Sequence, residues 1–370
     1  MKKIGIITFH TALNYGAVLQ AYALQNFLKK NEMENEILNY DCPFIKKCYS
    51  PFFVPNKKYF SALIRGVLFS NIIKKKRKKF ENFICKNLNV SNKFNNIEGI
   101  KKIKNNYSYF LTGSDQVWSP VAADFDPMYF LPFAKQNQKY SYAASIGTSK
   151  LNKETEHEMK KRLKDFEIIS VREENAKNIL EELAIGKEIF TNVDPTFLLE
   201  KQDWLNLVGE DEIKDKYLLI FNVEKPIHAV EYAKQIAKER GLKIVYINDR
   251  TIIKDKEIIY FQGISPEKFL TLFYHSEMVV TNSFHGTVFS IIMNKQFLVE
   301  LENKKLKNMR VENLLNKLDI QNRVICLECI QNMPCEPDWN KVNEKIDKER
   351  QKSLNYLNYI KNDFREKGNV

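Results

Sequence analysis

The chain has no apolar run approaching the roughly 20 residues that a membrane-spanning helix needs, so no such helix is expected along its 370 residues. Cysteine is scarce, the six thiols being Cys42, Cys48, Cys85, Cys326, Cys329 and Cys335. The N-terminal stretch MKKIGIITFHTALNYG carries two lysines and a short apolar run, but it turns polar after Phe9 and lacks a small-residue cleavage site. It reads as a first strand and not as a secretion signal. The thiols are therefore expected to be reduced and the compartment cytoplasmic. Cys326-x-x-Cys329 with Cys335 resembles part of a zinc or redox motif, but no fourth ligand stands nearby and a thioredoxin-like strand context is missing, so no metal is expected. Neither G-x-G-x-x-G nor the P-loop pattern occurs, which argues against a dinucleotide site and a P-loop phosphate site. Internal repeats and low-complexity linkers are absent too.

What the chain does have is enough apolar material for two cores. With 44% hydrophobic and 28% charged residues it should fold and stay soluble, and its length suits two domains of about 150 to 200 residues each. Lys+Arg 58 against Asp+Glu 46 gives a net charge of +12. That charge fits nucleic acid, a membrane surface or a phosphorylated substrate equally well, and it does not choose among them.

Strand and helix signals alternate. KKIGIITF is a strand, Asn14-Tyr15-Gly16 a turn, and AVLQAYALQNFLKK has helical periodicity with a basic last turn. EILNY, YSYFLTGSD and KYSYAASIG read as further strands, and EIISVREENAKNILEEL runs from strand into helix. The second half repeats the logic: strands YLLIFNV, KIVYIND, MVVTNSF and QFLVEL alternate with helices HAVEYAKQIAKERG, SPEKFLTLFYHS, GTVFSIIMN and RVENLLNKL. Alternation of this kind implies parallel strands joined by right-handed crossovers. The expected architecture is α/β, two Rossmann-like domains facing across a cleft, with an N-terminal domain over 1–195 and a C-terminal domain over 196–340. A charged helix over 341–370 is expected to cross back to the first domain.

In such sheets ligands collect beyond the carboxyl ends of the strands, where loops meet helix entrances. TNSFHGTVFSIIM, residues 281–293, lies at that edge: small polar residues, then one histidine and one glycine, then a buried helix. Ser283 can cap the helix, Gly286 can let backbone approach a ligand, and free amide groups with the His285 imidazole can face an anion together. A helix entrance contributes roughly 0.3 to 1 kcal/mol to a nearby anion, so charge-assisted hydrogen bonds from other loops must add to it. The bland alternative is a histidine that only caps its own helix. Two arginines qualify as partners. Arg172 in ISVREENA follows the apolar Ile168-Ile169 at a strand-to-helix junction, and Arg310 in NMRVENLL opens the helix after QFLVEL. The competing reading of each is a surface arginine paired with Glu173 or Glu312.

The order NYGAVLQAYAL, GSDQVW, YAASIG, SVREENA, DPTFLL and TNSFHGTVFSIIM resembles the polysaccharide pyruvyl transferase family, and the resemblance spans Met1 to about Leu318. The resemblance implies a glycosyltransferase-B-like fold, with the acceptor sugar on the N-terminal domain and the donor on the C-terminal one. It also implies transfer of the enolpyruvyl unit of phosphoenolpyruvate to a sugar of a cell-surface polysaccharide precursor, giving a pyruvate ketal. The family's histidine falls on His285, its SVR arginine on Arg172, and its basic residue before the V-x-x-L-L helix on Arg310. Asn282, Ser283 and Gly286 would line the donor site beside them. Where many relatives have three successive glycines this chain has Gly113-Ser114-Asp115-Gln116. Phosphoenolpyruvate enters as a co-substrate, and no cofactor is implied.

Those residue types suit the chemistry. A carboxylate plus a phosphate calls for guanidinium forks more than for ammonium groups, and a histidine can add general-acid catalysis of roughly 10²- to 10⁴-fold. On the acceptor side Asp115 and Trp118 pair an acid with an aromatic face, and Asn14, Tyr15 and Gly16 mark the first strand-to-helix turn. Asp194 precedes a proline and is expected to shape a turn. YFSALIRGVLFSNII followed by KKKRKK, residues 59–79, reads either as a membrane-surface contact at the inner leaflet, which would suit a lipid-linked oligosaccharide acceptor, or as a packed helix with a solvated basic end. Two other function classes stay open: a sugar-nucleotide glycosyltransferase of the same fold, and a non-catalytic nucleic-acid binder. The second lacks any aromatic stacking motif beside its scattered bases, so no nucleic-acid partner is expected.

Overall fold

The structure is a computed structural model that describes residues 3–53, 59–249, 255–301, 305–325 and 334–366. Cys326 and Cys329 of the C-x-x-C stretch lie outside the described residues. Strands are β1 (Ile4–Ile7), β2 (Asn35–Ile37), β3 (Tyr109–Thr112), β4 (Lys139–Ser141), β5 (Ile169–Val171), β6 (Ile189–Thr191), β7 (Tyr217–Phe221), β8 (Lys243–Ile247), β9 (Ile258–Phe261), β10 (Met278–Thr281) and β11 (Gln296–Val299). The helices used below are α1 (Tyr15–Lys30), α2 (Tyr59–Asn87), α3 (Glu174–Glu182), α4 (Ala229–Arg240), α5 (Phe284–Ile292), α6 (Lys305–Leu318) and α7 (Trp339–Glu366).

The chain divides into two compact units, one of Met1–Tyr49, Ile84–Leu199 and Ile346–Val370, the other of Ser50–Phe83 and Glu200–Lys345. In the first unit the strand order is β2-β1-β3-β4, all parallel. Bridges from Tyr140 to Ile168 and from Ala144 to Val171 carry the order on to the β5-β6 pair. Helix α1 begins where the Asn14 side chain accepts a hydrogen bond from the Ala17 amide at 3.3 Å, and it ends on Lys29 and Lys30, which suit the negative end of its dipole.

In the second unit the order is β11-β10-β7-β8-β9, again all parallel. YLLIF of β7 is buried at every position, as a central parallel strand covered on both faces must be. Edge strand β9, IIYF, went unread in the sequence; as an edge it is only partly covered, with Ile258 buried and Ile259 41% exposed.

Residues 50–83 group with the second half of the chain, not with the first as the expected 1–195 boundary had it. The reason is the inner face of α2. Lys76 Nζ lies 2.7 Å from Asp249 Oδ2, and Asp249 Oδ1 accepts the Gly263 amide at 2.7 Å, so helix and loop are tied through one carboxylate. Gly263 has φ +58, and a Cβ there would press on the Ile72 carbonyl oxygen at 2.9 Å. From Ile346 onward, α7 belongs to the first unit. Phe364 stacks on Tyr109 with ring centroids 3.9 Å apart, the Tyr356 hydroxyl donates to the Ser141 carbonyl at 2.6 Å, and Arg350 Nε donates to the Phe197 carbonyl at 2.7 Å.

Candidate functional site

The order of the second sheet decides where a ligand belongs. Counted along the chain, its strands run third, second, first, fourth, fifth, so the connections change direction between β7 and β10. Loops leaving those two strands diverge, and the crevice beyond their carboxyl ends is the binding place of such sheets. Helix α5 enters there. Ser283 is its N-cap, with Oγ accepting from the Gly286 amide at 3.3 Å, and His285 is the second residue of its first turn, buried at 7% exposure.

Packing explains the sequence of that entrance. Thr281, last residue of β10, donates its hydroxyl to the Phe221 carbonyl at the end of β7 at 2.5 Å and accepts the Ser283 amide at 3.0 Å. The first turn of α5 rests on that hydroxyl. A Cβ on residue 286 would overlap it, so the close approach of helix to strand requires glycine there. Asn282 is likewise engaged within the protein: its Oδ1 accepts from the Val223 amide at 2.9 Å and its Nδ2 donates to the Glu224 carbonyl at 3.1 Å. It braces the loop after β7 instead of lining the site through its side chain.

Two helix entrances meet this crevice, and they are furnished differently. At α4 the carboxylate of Glu300, buried at the end of β11, accepts from the amides of Ile227 at 2.9 Å, His228 at 2.5 Å and Ala229 at 2.9 Å. That anion position is filled by the chain itself. At α5 the first turn holds no acid. The Phe284 ring there packs edge-on against the His285 ring with centroids 5.1 Å apart, and the Arg310 guanidinium of α6 lies 5.6 Å from the Phe284 centroid. His285 and Arg310 are therefore gathered around one phenylalanine. Arg310 sits in the second turn of α6 and does not open it. Glu300 was missed in the sequence: an acid closing the apolar run QFLV marks the end of the strand but not the amides it meets.

The first unit has its own change of direction, between β1 and β3. There Thr8 Oγ1 donates to the Ser114 carbonyl at 2.7 Å and accepts from Gln20 Nε2 at 2.8 Å. His10, which the sequence reading passed over, is buried beside Asn39, its ring Nε2 3.3 Å from Asn39 Oδ1, and burial holds its pKa below the ordinary value. Asp115 adopts φ +81, costly for a non-glycine residue, and its Oδ1 accepts the Gln116 amide at 2.8 Å.

Three expectations for this unit change. Trp118 is fully buried, donates Nε1 to the Tyr129 carbonyl at 3.1 Å and stacks on Phe130, so it is core and offers no face to a sugar. Tyr15 and Gly16 are buried as the first residues of α1, and Asn14 is its cap, which is an ordinary helix start. Arg172 is no open fork: with its side chain 3% exposed, Nη1 lies 2.6 Å from Asp194 Oδ2 and Nε 3.0 Å from Glu173 Oε1. Burial works against its charge, but Glu173, Asp194 and Asp115 outweigh that and hold its pKa above the ordinary value. Ser145 Oγ donates to the same Glu173 oxygen at 2.9 Å. Asp194 also shapes the turn expected of it, taking the Thr196 amide at 3.1 Å and the Thr196 hydroxyl at 2.7 Å.

Comparison with solved structures agrees with the topology. The chain superposes on a putative UDP-N-acetylglucosamine 2-epimerase from Listeria monocytogenes with TM-score 0.55 at 13% identity, covering 99% of this chain and 98% of that one. The UDP-N-acetylglucosamine 2-epimerase from Rickettsia bellii gives 0.51 at 12% identity, with coverage of 97% and 98%. That of Methanocaldococcus jannaschii, in complex with UDP-GlcNAc and UDP, gives 0.51 at 14%, with 97% and 100%. At these identities the likeness establishes the fold alone, which is glycosyltransferase-B-like with two Rossmann-like units. No curated protein matches the sequence. Residues 14–300 match the profile of polysaccharide pyruvyl transferases, a span that takes in α1, Arg172, the His285 entrance and all eleven strands but β1, and the chain belongs to that family.

Proposed function

We propose that this protein transfers the pyruvyl unit of phosphoenolpyruvate to two hydroxyls of a sugar in a cell-surface polysaccharide precursor. The observation that carries the reading is the α5 entrance: a helix start without an acid, at the turning point of the second sheet, with His285 in its first turn and Arg310 beside it. A doubly anionic small molecule is what such an entrance favours. His285 and Arg310 hold the donor's carboxylate and phosphate in this scheme. Arg172 acts from within the first unit as a positioning residue that orders Asp115, Glu173 and Asp194.

The reaction balances as follows. A proton adds to the methylene carbon of the donor, positive character develops on the neighbouring carbon, and one sugar hydroxyl adds there and gives up its proton. A second hydroxyl then displaces phosphate, which leaves with that hydroxyl's proton, and the product has a methyl group, a carboxylate and a six-atom ketal ring where the two hydroxyls are suitably spaced. His285 supplies the first proton. A carboxylate of the first unit takes the hydroxyl proton in this scheme, and Asp115, which follows β3, is the candidate.

A thermal-shift comparison of phosphoenolpyruvate, inorganic phosphate and a panel of nucleotide sugars tests the donor. Stabilisation by phosphoenolpyruvate beyond that by phosphate is expected, and His285→Ala should lose it together with pyruvyl transfer. A sugar-nucleotide donor is the second reading, favoured by the likeness to epimerases whose names carry UDP-N-acetylglucosamine. Stabilisation by nucleotide sugars alone would establish it and displace the first.

A further inference from the structure

The outward face of α2 changes character along its length. Ile64, Val67, Leu68, Asn71, Lys74, Lys75 and Lys78 recur at the spacing that places them on one side of a helix, and all seven are exposed. Val67 is 75% exposed and Ile64 and Leu68 45% each, a cluster of large apolar side chains that a solvent-facing helix ordinarily avoids. Phe52, whose ring lies where a side chain on Gly66 would stand, is 55% exposed beside them. Toward the carboxyl end the same face carries Lys74, Lys75 and Lys78, and past them the exposed Glu81 and Asn82.

The six bases of residues 74–79 divide by direction. Lys76 points inward to Asp249. Lys79 is half-buried, and burial, with the nearby Lys75, depresses its pKa. Arg77 is half-buried as well. Lys74, Lys75 and Lys78 face outward, and among the described residues none of the three has a carboxylate at ion-pair distance. Phe80 and Phe83, on the inner face, are at most 1% exposed, so the helix is fixed by one side and leaves the other open.

We propose that this face seats the protein on an anionic lipid surface, with Val67, Leu68 and Ile64 entering the headgroup region and Lys74, Lys75 and Lys78 meeting lipid phosphates. Leu68 and Lys78 are ten residues apart, about 15 Å of helix, so the helix lies along the surface and both ends reach it. No described helix is long and apolar enough to cross a bilayer, and contact of this kind is peripheral. Charge decides between a lipid surface and a second copy of the chain. A second copy would bring three more lysines to a face that already has three, whereas phosphate headgroups neutralise them.

The test is co-sedimentation of the full chain with vesicles of phosphatidylcholine alone and of phosphatidylcholine with phosphatidylglycerol. Binding to the anionic vesicles only, weakening as salt rises, is expected. Each lysine should contribute about fivefold, so changing Lys74, Lys75 and Lys78 to glutamine should lower partitioning by about a hundredfold. Val67→Ser with Leu68→Ser should lower it by about tenfold or more. A control in which Lys29, Lys30 and Lys47 become glutamine has the same net charge as the first variant and should bind nearly as the parent does. Absence of parent binding overturns the proposal, and so does an equal loss in the control. So does a result in which Val67→Ser with Leu68→Ser alters sedimentation velocity in solution but not vesicle binding, because that assigns the face to a second copy. All variants should keep the thermal response to phosphoenolpyruvate, so failure here leaves the donor reading untouched, and the reverse.

Discussion

Replacing Arg172 with methionine separates a ligand from a scaffold. The guanidinium is 3% exposed and its Nε and Nη1 are taken by Glu173 and Asp194, whose side chains are 10% and 1% exposed. Methionine fills similar space and leaves two carboxylates without their counter-charge. Breaking a buried pair from one side costs about 3 to 5 kcal/mol. In a domain of this size each kcal/mol moves the unfolding midpoint by about 2 to 4 °C, so Arg172→Met should lower it by roughly 6 to 20 °C. Adding Asp194→Asn to that variant should restore part of the loss, because the amide oxygen can still serve Thr196 while the stranded charge disappears; the double-mutant cycle reads the coupling directly. The assay is thermal unfolding of the full chain by circular dichroism, followed by the same measurement with phosphoenolpyruvate below the lowered midpoint. A scaffold role predicts a large loss of stability with the donor's stabilising shift retained. An unchanged midpoint with the shift abolished would refute the reasoning and make Arg172 a direct ligand.

Two further outcomes follow from the geometry. Glu300→Ala should cost about 3 kcal/mol, since three amides at the α4 entrance lose a charged acceptor; inorganic phosphate should then stabilise the variant more than the parent, because the entrance becomes a free anion position, and an equal response in both would contradict the assignment. His10 is held neutral by burial, with a folded-state pKa below the 6.5 of an unperturbed histidine. Its contribution is therefore present above about pH 6.5 and is lost as pH falls from there toward the folded value, where the unfolded chain binds the extra proton; His10→Gln should flatten that part of the stability profile, and an unchanged slope in urea titrations at pH 5 to 7 would count against it.

Much of the second unit could be read from its residues alone. MVVT followed by Asn-Ser-Phe-His announced a buried strand and a capped helix, because capping and apolar periodicity are local: the Ser283 hydroxyl needs only its own next turn. The entrance that carries His285 could be placed beforehand at the end of a strand and the start of a helix, but the buried pairing of Arg172 with Glu173 and Asp194 could not. It was not legible that Glu300 fills the neighbouring entrance, since that carboxylate reaches amides 71 to 73 positions away.

By itself, the sequence determined the α/β class, the alternation of most strands and helices though not β9, the helix start at Ser283 and the family, all of which depend on neighbours within a turn or on matched motifs. Tertiary structure alone decided which strands lie side by side, and with them the turning point at β7 and β10. It decided that Trp118 is core, that Arg172 spends its donors on Asp194 22 positions along the chain, that Gly286 yields space to Thr281, and that residues 50–83 pack with the second half. The physical reason is common to all four: burial and pairing belong to surfaces that meet only once the sheets have formed, and a side chain's type does not say which surface it will meet.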